Sequence, residues 1–252
     1  IFCTRWTGLY KDDAISSVEH RANLVLLLKY GMDFIKNYTM SGWVKMPNYR
    51  LNLPDYSDRA IFEGLVNHLI HRDYTVMGGE VHIDIYDDRV ELVSPGAMLD
   101  GTQIQDRDIY KVPSMRRNPV IADVFTQLDY MEKRGSGLRK MRELTEKLPN
   151  FLQGKEPQYQ TEATSFYTTF YNLNWGENGR IPVEEVANRV NSTLEKYPVS
   201  EESSVEKLGV NSKSSVKNFG DTPEGSEKGS EIMQKGSEKK FGDSKNKSKS
   251  IG

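Results

Sequence analysis

The sequence predicts an α+β fold: a two-layer sandwich in which a mostly antiparallel sheet is covered by helices. Three observations point there. Several segments carry apolar residues at helical spacing, and others alternate apolar and polar residues with a period of two. At least one pair of the alternating runs is joined by a tight polar turn, as antiparallel neighbours are. The two kinds of segment are mixed along the chain instead of alternating strictly, which argues against a parallel doubly wound sheet.

The first helix is expected at about Val18 to Asn37, where Leu24, Leu27, Leu28 and Phe34 recur at helical spacing and Gly31 is a weak point near the end. Ser57 or Asp58 can cap a second helix from about Arg59 to Ile70. Val81, Ile83 and Ile85 alternate with His82, Asp84 and Tyr86, the pattern of a half-buried strand. Asp87-Asp88-Arg89 turns that strand back into Val90 to Val93. Asn118 to Leu128 and Gly137 to Leu148 read as helices. Thr164 to Leu173 reads as a final strand, with Phe166 and Phe170 on one face and Tyr167 and Tyr171 on the other.

Composition changes near Trp175-Gly176, and after Pro198 the chain is rich in Ser, Lys, Glu and Gly. Gly225-Ser-Glu-Lys-Gly-Ser-Glu231 repeats internally, and Phe219-Gly-Asp221 recurs as Phe241-Gly-Asp243. Such a stretch buries too little apolar surface to offset chain entropy. The expected organisation is a folded domain at 1–175, a connecting segment at 176–197 and a disordered, low-complexity linker or tail at 198–252. Val205 to Lys217 resembles the turn of a helix-turn-helix. Its spacing from Leu208 to Val216 is one residue too long, and no basic recognition helix follows, so DNA binding is not expected there.

With 252 residues and a formal net charge of -2, the chain has no overall field directed at nucleic acid or membrane. Its one cysteine, Cys3, excludes an internal disulfide and suits a reducing, cytoplasmic compartment. The longest aliphatic run, Leu24 to Leu28, is too short to cross a bilayer, so no membrane partner is expected. The first residue is Ile1, as expected of a fragment or a processed product.

Chemistry concentrates between Glu63 and Leu138. Glu63, Asn67 and His71 are four apart and form a polar stripe beside the apolar face of the second helix. A carboxylate and an amide oxygen there suit Mg²⁺, and the Glu suits a general base. A stripe of this kind is by itself more often only a solvated face. Ser94-Pro95-Gly96 closes a strand with a turn. Arg134-Gly135-Ser136-Gly137 opens a helix, a geometry able to form a backbone nest for phosphate and equally that of an ordinary capped loop. Arg116 and Arg117 add positive charge nearby in sequence. No Walker-type G-x-x-x-x-G-K-[ST] is present, since Gly154-Lys155-Glu156 lacks its hydroxyl and its leading glycine. That leaves no helicase motor in this chain.

Taken in order, Glu63 to Tyr74, Ser94-Pro95-Gly96, Arg117-Asn118-Pro119 and Glu132 to Gly137 resemble a domain of bacterial proteins. These are described as RecG-like helicase C-terminal regions or transcriptional regulators, many with an upstream Schlafen-type AlbA domain. The resemblance covers roughly Phe2 to Leu173. That family is similar to the GHKL ATPases, and the resemblance implies a GHKL-type sandwich with ATP and Mg²⁺ as cofactors. It implies Glu63 as catalytic base, and Glu63 and Asn67 at the metal. It implies a ligand set of Asn67, His71, Ser94, Gly96, Arg117, Asn118, Arg134, Gly135, Ser136 and Gly137. Three positions depart from the GHKL pattern: Ser94 stands for the adenine-reading Asp, Met98 for the second glycine of that turn, and Phe62 for the Arg before the catalytic Glu. The expected role is a nucleotide-binding regulatory domain of a transcriptional regulator, with DNA contacted through other domains and homodimerisation as one role of the core. An active Mg²⁺-dependent ATPase is the alternative.

Overall fold

The computed structural model describes residues 1–46, 48–132 and 135–196. The expected tail at 198–252, the helix-turn-helix-like segment and Arg134 lie outside the described residues.

A six-stranded sheet forms the floor of the domain. Its strands are β1 (Phe2–Trp6), β2 (Ala14–Glu19), β5 (His82–Ile85), β6 (Arg89–Pro95), β7 (Gln158–Thr161) and β8 (Ser165–Tyr171), in the order β2-β1-β5-β6-β8-β7. Between β2 and β5 the chain makes a separate hairpin, β3 (Ser41–Lys45) and β4 (Arg50–Pro54). Every pairing in the main sheet is antiparallel except β1 with β5. The sheet is therefore mixed and mostly antiparallel, and helices cover it. α1 (Leu24–Tyr38) and α2 (Asp58–Ile70) pack on it, and α4 (Gly137–Glu146) packs against α2. α3 (Pro119–Gln127) contributes the buried Ala122 and Phe125.

The core lies between these layers and includes Leu28, Phe34, Leu65, Leu69, Ile83, Ile85, Val90, Leu92 and Phe170. Pairing in register puts Ile83 opposite Leu92 and Ile85 opposite Val90, which forms an aliphatic surface under α2. Gly64 lets α2 approach that surface closely: a methyl there would stand 2.9 Å from Phe170 Cζ and 3.2 Å from Leu92 Cδ1. Phe166 and Phe170 share the helix-facing side of β8 with Thr168, as the alternation predicts.

Two expectations are corrected. Val18 belongs to β2, opposite Cys3, and the first helix begins at Leu24. Asn23 fixes that start by accepting a hydrogen bond from the Leu26 amide at 3.0 Å. The strand at 82–85 leaves His82 exposed, as expected, but is covered on its polar side at Asp84. Asp84 is only 3 % exposed, because Trp6 Nε1 and Lys11 Nζ each donate to its carboxylate at 2.7 Å.

The chain does not end its regular structure at β8. A short ribbon, β9 (Trp175–Gly176) with β10 (Gly179–Arg180), leads into α5 (Val183–Lys196). Val186, Ala187 and Val190 of α5 bury Leu51 and Leu53 of the β3–β4 hairpin in a second small core. Asn174 ties this region back to the hairpin, donating to Leu53 O and to Asp55 Oδ1 at 2.9 Å each. Arg180 closes on the same Asp55 carboxylate at 2.9 Å.

Candidate functional site

A cleft opens between α2, α4 and the long loop after β6, with β6 and β8 as its floor. It holds about 1150 Å³ of empty space, counting the part open to solvent. The loop is shaped from below: Ile104 is buried, its amide donates to Thr161 Oγ1 at 3.0 Å, and Gln105 Oε1 accepts from the Thr161 amide at 2.9 Å. So anchored to β7, the loop lays Met98, Leu99, Ile109 and Val112 along one wall.

α2 supplies the opposite wall. Ser57 caps it, accepting from the Ala60 amide at 3.3 Å, and its apolar face is held by the sheet. Glu63, Asn67 and His71 therefore point into the cleft together. Glu63 is 6 % exposed, so this stripe is not a solvated face. Among the described residues no donor reaches hydrogen-bond distance of Glu63 Oε2, although Lys140 Nζ of α4 stands 3.8 Å away. Burial raises the Glu63 pKa above its ordinary value, while the cations of Lys140 and Arg59 oppose that rise. For His71, burial lowers the pKa and the nearby Arg117 and Arg116 lower it further.

The glycines of the second motif bring α4 against α2. Gly135 has φ +63, and a methyl there would collide with Ser114 Cβ at 2.4 Å. At Gly137 a methyl would sit 2.7 Å from Asn67 Nδ2. The absence of both side chains lets the start of α4 lie against the Asn67 amide, with Ser136, Gly137 and Leu138 lining the cleft. Gly96, φ +107, turns the chain at the end of β6, where its amide donates to Thr164 O at 2.7 Å.

Glu63, Asn67, His71, Ser94, Gly96, Arg117, Gly135, Ser136 and Gly137 thus line one cleft. Two of these are already engaged. Arg117 donates to Asp73 Oδ2 at 3.0 Å and to Ala97 O, which clamps the start of the loop. Ser94 is bound to the imidazole of His68. Asn118 does not line the cleft; its amide donates at 2.8 Å to both Ile70 O and Arg72 O and closes the C-terminal end of α2.

Sequence reasoning missed Lys140, His68, Thr168 and the apolar loop wall. Lys140 lies one turn into α4, and only the helical offset from Gly137 could have placed it beside the cleft. His68 sits among apolar neighbours of α2 and gave no periodic signal. The loop wall has no regular period at all.

The residues present fit an anionic ligand with a metal. The buried Glu63 oxygen that has no hydrogen-bond donor suits a cation, and the two glycines, packed on Ser114 and Asn67, bring the start of α4 to the same cleft. Among the described residues there is no cluster of three or more His, Cys, Asp or Glu side chains able to hold a metal by itself. None of the described helices is long and apolar enough to cross a membrane.

Comparison with curated proteins gives no match. Among solved structures, the DIP2311 protein from Corynebacterium diphtheriae is similar, with a TM-score of 0.59 and 19% sequence identity. The likeness covers 76% of this chain but only 37% of that one, and it is a likeness of fold. Residues 78–170 match the family model described as "Putative ATP-dependent DNA helicase recG C-terminal". That span begins after α2 and contains the cleft loop, α3, α4 and most of the floor. Residues 78–170 are thus similar to the RecG-like C-terminal family, the one that the motifs of the sequence resemble.

Proposed function

We propose that the cleft binds a nucleoside triphosphate with Mg²⁺, in the manner of a GHKL-type sandwich. The observation that carries this reading is the meeting of α2 and α4: Glu63 and Asn67 face the cleft where Gly135, Ser136 and Gly137 open a helix. Backbone amides at that helix start favour phosphate oxygens. The Asn67 and Glu63 oxygens suit a hard cation, which usually keeps several waters and binds through one or two carboxylates and the phosphates. When bound, the ion would offset phosphate charge. The apolar loop wall at Met98, Leu99, Ile109 and Val112 suits the base.

Hydrolysis is the second reading, and Glu63 favours it. Its carboxylate is buried, has an oxygen without a donor, and has a pKa raised by burial, all of which strengthen it as a base toward water. Lys140 opposes that rise by favouring the ionised form of the carboxylate. The wider role we infer is regulatory: a ligand-sensing or dimerising module of a cytoplasmic bacterial transcriptional regulator, with DNA contacted by other domains. The near-neutral net charge of -2 supports assigning DNA contact elsewhere.

Calorimetric titration with ATP and Mg²⁺ tests the reading. Saturable binding is expected, weakened about tenfold or more by Asn67→Ala, the loss of a hydrogen bond to a charged partner. Absence of binding at millimolar ATP would overturn it. Glu63→Ala is expected to leave binding measurable, weakened only by the loss of one oxygen at the cation, and to abolish turnover; unchanged turnover would exclude the base role.

A further inference from the structure

Lys140 belongs neither to the glycine turn nor to the pair of Glu63 and Asn67. It stands one turn into α4, and its amide donates to Ser136 O at 2.8 Å, which ties it to the start of the helix. Its Nζ lies 3.2 Å from Glu132 Oε1 and 3.8 Å from Glu63 Oε2. The Glu132 side chain is 56 % exposed and that of Glu63 only 8 %. The ammonium therefore bonds to the outer carboxylate and holds its charge beside the inner one.

That division has a consequence for cations. A buried carboxylate is costly unless a positive charge offsets its own. Lys140 supplies the charge without filling the coordination of the oxygen: among the described residues Glu63 Oε2 has no hydrogen-bond donor, so its lone pairs stay open to an ion. The amide oxygen of Asn67 adds a ligand but no charge. Glu132 is largely in solvent, where its charge is screened. A divalent ion arriving alone thus finds the one buried negative charge already offset, and it is repelled by the ammonium beside it. The phosphates of a nucleotide bring several negative charges into the same cleft, and these attract the ion and the ammonium alike.

Resting on the nucleotide reading above, we propose that Lys140 is a tethered counter-ion of Glu63 that makes the metal site conditional on the nucleotide. It keeps divalent cations from binding by themselves and admits them together with phosphate. Lysine suits this task, because its ammonium is a compact charge on a flexible stem and can follow the phosphates when they arrive.

The test is a titration of the full chain with Mn²⁺ in the absence of nucleotide, the free ion being followed by electron paramagnetic resonance. Mn²⁺ takes the same oxygen ligands as Mg²⁺. The parent and Lys140→Arg are expected to show no saturable binding below about 1 mM, and Lys140→Met to bind the ion about tenfold or more tightly than the parent. Adding Glu63→Gln to Lys140→Met should abolish the gain, as a double-mutant cycle requires if the ion sits at Glu63. Thermal unfolding without metal checks that each variant is folded. Equal affinity in the parent and Lys140→Met overturns the proposal. So does a gain shared by Lys140→Arg, which keeps the charge, or a gain that survives Glu63→Gln. These results leave the nucleotide reading standing, because titration of the parent with ATP and Mg²⁺ tests that separately. Failure of the parent to bind ATP with Mg²⁺ overturns the nucleotide reading, and this proposal with it.

Discussion

Glu63 shows at the residue scale how a site is kept at the expense of the fold. Its carboxylate is buried against α4, and burial raises its pKa above the ordinary value of 4.5. At pH below 4.5 the group is protonated in both folded and unfolded chains and contributes nothing to the balance. As pH rises, the unfolded chain ionises first and folding stability falls, until the folded group ionises as well. Glu63→Gln is therefore expected to match the parent in acid and to exceed it in stability at neutral pH. Urea unfolding at several pH values checks this, and a constant difference across pH would contradict it. Lys140 works the other way, since its cation 3.8 Å from Oε2 favours the ionised form.

Among the elements, the contact of α2 with α4 decides whether the cleft exists. Gly137 sets that contact, since a methyl there would stand 2.7 Å from Asn67 Nδ2. Alanine is a better helix former than glycine by up to about 1 kcal/mol, so Gly137→Ala should leave stability within about 1 kcal/mol of the parent. It should nevertheless push Asn67 away and weaken nucleotide binding about tenfold or more, the same loss as removing the amide. Parallel thermal unfolding and calorimetry separate the two effects. Binding at parental strength would mean that Asn67 does not need its place against α4. Gly135 is a harder constraint, because its positive φ and the nearby Ser114 both exclude a side chain.

At the scale of the whole molecule, the described residues form two cores. The larger lies under α1 and α2, and the smaller joins α5 to the β3–β4 hairpin. Val186 is fully buried in the smaller one. Val186→Asp buries an unpaired carboxylate, which costs about 2 kcal/mol or more. Hydrogen exchange should then accelerate in the hairpin at 41–54, while ATP affinity stays at the parental value, because no residue of the smaller core lines the cleft. A parallel loss of affinity would show that the hairpin supports the site.

The sequence by itself determined the elements whose signal is local. Period and capping marked α2 at Ser57, alternation marked β5, β6 and β8, and the glycines marked the start of α4. The stripe of Glu63, Asn67 and His71 was legible because helical spacing alone puts the three on one side. Only the tertiary structure decided the rest. β1 and β2 gain their order from pairing across the sheet, β1 in part with the distant β5. α5 carries Val183, Val186, Ala187 and Val190 at helical spacing, but that this stripe packs on Leu51 and Leu53 is decided only by the fold. Lys140 meets Glu63, and His68 joins Ser94 to Thr168, across 77, 26 and 100 residues of chain. No local pattern encodes such distances; they follow from strand register and from how closely glycine lets two helices approach.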